Sequence, residues 1–246
     1  MRIVILESSP NRHGSSNLLA ERFAQGAQEA GHQVAFVDVA HADIHPCTGC
    51  VHCGYEGPCV QKDDVEGIRR QLLAADMVVF VTPLYYYGMS AQLKTMVDRF
   101  CAFNSSLQAK HLKSALLAAA WNSDSWTFAA LEAHYQTLVR YLNLQDMGMV
   151  LGTGCGTPSM TARSPFPQAA YRLGRQLHRS AGLVEFPYIL FFSKLFHIFS
   201  NFINCHFLLP HNRYKSSEHF TFRIRRTDSS SRSLVILPSF TAFSTA

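Results

Sequence analysis

The sequence predicts an α/β fold, a doubly wound parallel sheet of five strands. Three observations predict it. Short apolar runs alternate with helical patterns along residues 1–183. Each of five such runs is followed by a segment of helical periodicity, and that alternation implies a parallel sheet covered on both faces. Two runs, 77–81 and 115–120, are continuously apolar, as central strands buried on both sides must be. Right-handed crossovers then leave few topologies.

The elements follow in order. Arg2–Glu7 reads as a first strand, ended by Ser8-Ser9-Pro10-Asn11. Asn17 to Ala30 has helical composition and Gly31 just past its end. Gln33–Val39 is a second strand. Asp63 and Glu66 have the spacing of a capping box, with Val65, Ile68 and Leu72 on one helix face. Met77–Thr82 is a third strand, and Leu93, Met96, Val97 and Phe100 mark the next helix. Ala115–Trp121 is a fourth strand, and Phe128, Leu131, Tyr135, Leu138 and Leu142 mark a fourth helix. Met147–Gly152 is a fifth strand, and Gln168–Ala181 a last helix. In a doubly wound sheet the ligand lies beyond the carboxyl ends of the strands. The loops that matter are therefore 8–16, 40–62, 83–90, 121–126 and 153–166.

Composition divides the chain. Of its 246 residues, 48% are apolar and 16% charged, which suits a globular core. All 14 glycines precede residue 183, whereas 11 of the 18 phenylalanines follow it. The formal charge of +5 splits into +1 for residues 1–183 and +4 for residues 184–246. Residues 1–183 are nearly neutral, so charge gives no support for nucleic-acid binding. The start, Met1-Arg2-Ile3-Val4-Ile5-Leu6-Glu7, lacks the apolar core of a signal peptide, and four of the seven cysteines crowd into positions 47–59. Crowded thiols without a signal peptide suggest a cytoplasmic protein.

The first loop runs Ser8-Ser9-Pro10-Asn11-Arg12-His13-Gly14-Ser15-Ser16-Asn17 into a helix. A helix N-terminus favours a phosphate, through unpaired N–H groups and the dipole. Ser9, Ser15 and Ser16, the amide of Asn17 and the cation of Arg12 are side chains that would complete such a site. It matches neither the P-loop nor GxGxxG. The same loop also reads as a hydrophilic turn with a good N-cap, and His13 as a solvated donor. After the third strand comes Pro83-Leu84-Tyr85-Tyr86-Tyr87-Gly88. Flat rings with polar tips suit a planar heteroaromatic ligand. A dimer contact or a partly buried loop is the other reading.

Three stretches carry a family resemblance: Ser9-Pro10 … Gly14-Ser15-Ser16, then Cys47-Thr48-Gly49-Cys50-Val51-His52-Cys53 … Cys59 … Asp63-Asp64, then Thr82-Pro83-Leu84-Tyr85 … Asp98-Arg99. Together they resemble the NADPH-dependent FMN reductase branch of the flavodoxin-like proteins, to which iron–sulfur flavoproteins also belong. The resemblance implies FMN, a sheet of order 2-1-3-4-5 and a homodimer or homotetramer. It implies that Ser9, Ser16 and Asn17 hold the FMN phosphate. By the same resemblance Pro83, Leu84, Tyr85, Tyr86 and Gly88 border the ribityl chain and ring, and Asn122 and Ser123 lie by the ring's other edge. Two departures stand out. Asn11 replaces the usual Arg after Ser-Pro, so Arg12 would supply the cation from a shifted position. Trp121-Asn122-Ser123 replaces a Gly-rich loop.

Cys47, Cys50, Cys53 and Cys59 have the spacing C-x2-C-x2-C-x5-C, which turns thiolates toward one centre. The resemblance makes a 4Fe–4S cluster the first candidate there, with zinc or free thiols as alternatives. Cys101, among apolar neighbours on a helix, reads as core, and Cys155 as a lone thiol between glycines. The function expected is an NAD(P)H-dependent FMN oxidoreductase of flavin or quinone type, which passes electrons to a small-molecule or protein acceptor. In such an enzyme the cofactor carries the chemistry, so no catalytic side chain is named. The rivals are an electron carrier between proteins and a flavin-free binding domain. Residues 184–246 resemble nothing in that family. The expected domains are 1–183, flavodoxin-like, and 184–246, an atypical tail, poorly ordered or aberrant through a shifted reading frame. Lys194 within its apolar stretch argues against a membrane span.

Overall fold

A computed structural model describes residues 1–177. The expected boundary at residue 183, the end of the last predicted helix at Ala181 and every expectation for residues 184–246 lie outside the described residues. Five parallel strands form one sheet: β1 (Arg2–Glu7), β2 (Gln33–Asp38), β3 (Met77–Pro83), β4 (Lys113–Ala119) and β5 (Gln145–Gly152). Their order is β2-β1-β3-β4-β5, as the resemblance implied. The helices are α1 (Ser15–Glu29), α2 (Val65–Ala74), α3 (Ala91–Arg99), α4 (Asn104–Lys110), α5 (Ala129–Tyr141), α6 (Pro158–Arg163) and α7 (Phe166–Arg175).

Strand residues alternate between two cores. Ile3, Ile5, Val79, Ala115 and Leu117 face α1 and α7, where Phe23 and Ala27 are buried. Val4, Leu6, Phe80, Leu116 and Ala118 face the other layer, with Leu72, Leu93, Leu131 and Tyr135. The middle strand β3 is buried along Met77–Thr82, which explains its unbroken apolar run. Truncating a ring such as Phe80 there would cost about 3–5 kcal/mol. The edge strand β2 leaves Phe36 exposed. Helices α1 and α7 cross closely: a Cβ on Gly26 or on Gly174 would overlap the other helix's backbone.

Several boundaries differ from expectation for physical reasons. Helix α1 begins two residues early, at Ser15, with Gly14 as N-cap and no side-chain cap. The Asp63–Glu66 capping box does not form: Asp64 is the N-cap, Glu66 pairs with Arg69, and Arg99 takes the Asp63 carboxylate. Asp63 Oδ1 still accepts from Val65 N at 3.2 Å. The helix marked through Phe100 ends as α3 at Arg99, Phe100–Phe103 with Cys101 form a 3-10 turn, and α4 follows where the sequence pattern showed no separate helix. The last helix, expected from Gln168, begins at Phe166 as α7, and the short helix α6 forms within the expected loop 153–166, separated from α7 by extended Ser164 before Pro165.

Candidate functional site

In order 2-1-3 the chain leaves β1 to one side and returns to β3 on the other. The crevice between the loops after β1 and β3 is therefore the switch point of the sheet. A buried hydroxyl chain ties those two loops. Ser8 Oγ donates to Val81 O at 2.7 Å, and Ser90 Oγ lies 2.9 Å from Ser8 Oγ. Ser90 N donates to Thr82 Oγ1 at 2.9 Å, while Ser90 Oγ also caps α3 at Leu93 N. Ser8, Thr82 and Ser90 are fully buried. Sequence reasoning passed over Ser8 and Ser90 because a buried hydroxyl pair 82 residues apart leaves no local pattern.

The first loop is self-braced. Ser9 Oγ accepts from Asn11 N at 3.2 Å and donates to Asn11 O at 3.0 Å. Asn17 Nδ2 donates to Arg12 O at 3.3 Å, and Ser16 Oγ lies 3.5 Å from Asn17 Oδ1. Arg12 turns outward and pairs with Asp38 at 3.4 Å, with 67% of its side chain exposed. His13 is exposed. Ser15 Oγ differs from all of these: it is buried and has no hydrogen-bond partner. A Cβ on Gly14 would lie 2.7 Å from Ser9 Oγ and 2.9 Å from Asn11 O, so only glycine fits that turn. An uncapped helix N-terminus, a glycine-lined cradle and an orphaned hydroxyl together suit an anion such as the FMN phosphate. Beside this loop, burial first and the Asp38 and Glu21 charges next push the Glu7 carboxyl up to about 7.

The loop after β3 is a tight hairpin. Tyr85 N and Gly88 N each donate to the other residue's carbonyl at 3.1 Å. Its central residues Tyr86 and Tyr87 have φ of 45° and 63°. That left-handed pair normally falls to Asn and Gly, and bulky rings there store strain. Tyr86 is fully exposed and Tyr85 half-exposed. Pro83 ends β3, and Leu84 N donates to Ala119 O at 2.8 Å. The loop after β4 folds on itself: Asn122 Oδ1 accepts from Asp124 N, and Asn122 O accepts from Gly154 N. Ser123 is exposed. Trp126 stacks on Tyr87 with centroids 5.0 Å apart.

The cysteine loop is pinned from below. The Arg99 and Asp63 side chains are each 1% exposed and paired. Arg99 also donates to His45 O at 2.7 Å, so one guanidinium holds both ends of the loop. Burial alone would raise the Asp63 carboxyl, but Arg99 and the His45 and Val65 N–H groups hold it below its ordinary value. The Arg99 Nε is buried without a partner. Cys47, Cys50, Cys53 and Cys59 line one cleft together with Arg99 and Cys101. Cys101 is thus half-buried against Cys53 and not core as its apolar neighbours suggested. Burial and then the Cys53 thiol push its pKa up to about 11. Backbone N–H of His52 and the Thr48 side chain lower that of Cys50. Cys155 is buried near Ser164 Oγ. The thiols are right in kind for an iron–sulfur cluster. In this arrangement they do not fit one: the cleft is about 20 Å³, room for about one water. Among the described residues no three His, Cys, Asp or Glu side chains lie in a metal-holding geometry. A wider cleft of about 230 Å³ opens at the opposite, amino end of β1 and β2, away from every loop above.

Comparison with known proteins agrees with the fold. The family described as NADPH-dependent FMN reductase matches residues 1–158. An iron–sulfur flavoprotein of Methanocaldococcus jannaschii is 34% identical over 99 residues, 40% of this chain and 51% of that protein. One from Archaeoglobus fulgidus is 31% identical over 103 residues, 42% of this chain and 47% of that protein. The chain thus spans about half the length of these relatives. YwqN of Bacillus subtilis, named an NAD(P)H-dependent FMN-containing oxidoreductase, is 26% identical over 161 residues, 63% of this chain and 86% of that one. Among solved structures, an NAD(P)H:quinone oxidoreductase from Methanothermobacter marburgensis superposes with a TM-score of 0.61 at 19% identity. That match covers 74% of this chain and 98% of the other, and it bears on the fold alone.

Proposed function

The chain belongs to the NADPH-dependent FMN reductase family, and from that premise we propose that it binds FMN at the switch point and oxidises NAD(P)H. The observation that carries this reading is the buried, unpartnered Ser15 Oγ at the uncapped start of α1, beside the Gly14 cradle. Gly14, Ser15, Ser16 and Asn17 would hold the phosphate, chiefly through backbone N–H groups and the Ser15 hydroxyl. Ser9 and the side chain of Asn17 act through the loop, which they brace in shape before any ligand arrives. Arg12 would have to leave Asp38 to contribute. Pro83, Leu84, Tyr85, Tyr86 and Gly88 would border the ring and its chain, with the Ser8–Ser90 hydroxyl link fixing the distance between the two loops. Asn122 and Ser123 would close the far edge. Bound FMN would supply two-electron transfer from a dihydronicotinamide to an acceptor. No side chain of this site is needed as acid or base for hydride transfer.

The acceptor, a small molecule or a protein, and a homodimeric or homotetrameric state remain part of this proposal. So does a cytoplasmic setting; no helix among the described residues is long and apolar enough to cross a membrane. The second reading, an iron–sulfur flavoprotein carrying electrons between proteins, is favoured by one observation, the convergence of five thiols on one cleft. It requires the cleft to open.

The test is one preparation. Anaerobically purified protein is expected to show flavin absorbance, to quench FMN fluorescence on titration and to consume NAD(P)H. Ser15→Ala should weaken FMN by roughly tenfold, the loss of a hydrogen bond to a charged group. A colourless protein that takes up no FMN rejects the reading. Iron and sulfide at about four per chain, with reduction by ferredoxin and none by NAD(P)H, would favour the carrier.

A further inference from the structure

A cavity of about 240 Å³ lies at the start of α2, walled by the end of the cysteine loop and by the 3-10 turn after α3. Its charged groups divide unevenly. Lys62, Arg69 and Arg99 line it together with two carboxylates, Asp63 and Glu66. Both carboxylates are already engaged. Arg99 Nη2 donates to Asp63 Oδ1 at 3.1 Å, and Arg69 Nη1 donates to Glu66 Oε1 at 3.1 Å. The Nε–H of each guanidinium, by contrast, is buried and without a partner. Arg99 as a whole is 1% exposed, so bulk water does not make good that loss. Helix α2 adds further donors. Its N-cap, Asp64, makes no side-chain cap. Asp63 Oδ1 takes Val65 N, and the first bond to a carbonyl at the helix start runs from Ile68 N to Asp64 O at 3.2 Å. The N–H groups of Glu66 and Gly67 lie between these two and have no intrahelical carbonyl to reach.

We propose that this cavity binds a small phosphate monoester and that its occupancy shields Cys59. The groups left over are donors alone, and donors alone select a ligand that only accepts. They come from α2, from α3 and from the loop before α2, a spread that suits a tetrahedral oxyanion with several oxygens. The helix dipole and the surplus cation favour its negative charge. A metal cation is disfavoured, because both carboxylates are spent on the guanidinium groups. The apolar wall of Pro58, Ala102 and Phe103 gives an organic group on the ester oxygen a surface to cover. Cys59 lines this cavity and also the narrow thiol cleft, so a ligand here lies against one side of it. None of these residues belongs to the proposed flavin loops, and the two readings can fail separately.

The test uses the full chain, with inorganic phosphate and phenyl phosphate as probes in a buffer free of other oxyanions. Titration calorimetry measures binding. Arg69→Gln is expected to weaken phenyl phosphate about tenfold, the loss of one charge-assisted hydrogen bond. Lys62→Gln should weaken it about threefold. Ser15→Ala, at the other phosphate cradle, should leave binding at this cavity unchanged. Phenyl phosphate should bind about fivefold tighter than inorganic phosphate, through its ring. Saturating phenyl phosphate should also slow alkylation of Cys59 by iodoacetamide severalfold, as mapped by mass spectrometry, and leave the exposed Cys47 unaffected. Binding equal to wild type in both Arg69→Gln and Lys62→Gln overturns the proposal. So does binding abolished by Ser15→Ala, which would place the anion at α1. Equal affinity for the two probes overturns the ester assignment, and a Cys59 rate that the ligand does not change overturns the shielding. If Arg69→Gln fails to fold, Lys62→Gln and the alkylation rate of the unaltered chain decide the matter.

Discussion

Glu7 ends β1 with its carboxyl partly buried beside Asp38 and Glu21, and that setting raises its pKa to about 7. The folded state therefore holds this proton more tightly than the unfolded chain, whose value is near 4.5. The stability linked to that proton is fully present below about pH 4.5 and is lost as pH rises toward 7. Glu7→Gln should melt close to wild type at pH 4.5 and above wild type at pH 8, by differential scanning fluorimetry. A difference constant across that range would refute the assignment. At this scale the sequence was informative about chemistry and less so about partners. Ser9, Ser15, Ser16 and Asn17 stand out in the sequence as a group, but which hydroxyl stays free depends on how the loop closes on Asn11 and Arg12. Only Ser15 is left over. The Arg12–Asp38 pair joins the loop after β1 to the last residue of β2 and has no local signature.

The cysteine loop shows the same limit at the level of elements. Its spacing is plain in the sequence, whereas its foundation is not, since Arg99 and Asp63 lie 36 residues apart. Both side chains are buried, so removing one leaves an unpaired charge in a dry site. Arg99→Met is expected to cost about 3–5 kcal/mol, roughly 6–20 °C in melting temperature for a domain of this size. The double variant Asp63→Leu with Arg99→Met should recover much of that loss. Additive losses in the double variant would show that the pair is not coupled. Strands β1, β3 and β4 were legible because buried parallel strands must be apolar along their length, and the less buried edge strands β2 and β5 because short apolar runs alternate with helices. Helix α4 was not, because its seven residues, Asn-Ser-Ser-Leu-Gln-Ala-Lys, bury only Leu107. Helix α6 was hidden for the same reason, since its six residues bury only Thr161 and lie in a segment that reads as a loop.

At the largest scale, the described residues 1–177 carry a five-stranded sheet with a buried core on each face and every loop argued above. We therefore expect a chain ended after Leu183 to unfold in one cooperative transition and to bind FMN within about twofold of the full chain. Loss of cooperative unfolding on that truncation would assign residues 184–246 a part in the fold. The sheet order itself came from resemblance, because periodicity identifies strands but not which of them are neighbours.

The close crossing of α1 and α7 has a consequence in time. Gly26 and Gly174 meet across it, and these helices make the most extensive helix–helix contact among the described elements. The partner of α1 leaves the ribosome roughly 150 residues later, about 8–30 seconds at ordinary synthesis rates. Through that interval the helix that begins at the proposed phosphate cradle has one flank bare, Phe23 and Ala27 included. Contacts so distant along the chain also close late in refolding. The proposed cofactor site would thus be finished last, although its residues are made first, and a chain that stalls before Phe166 would expose apolar surface without gaining a settled place for the FMN proposed there.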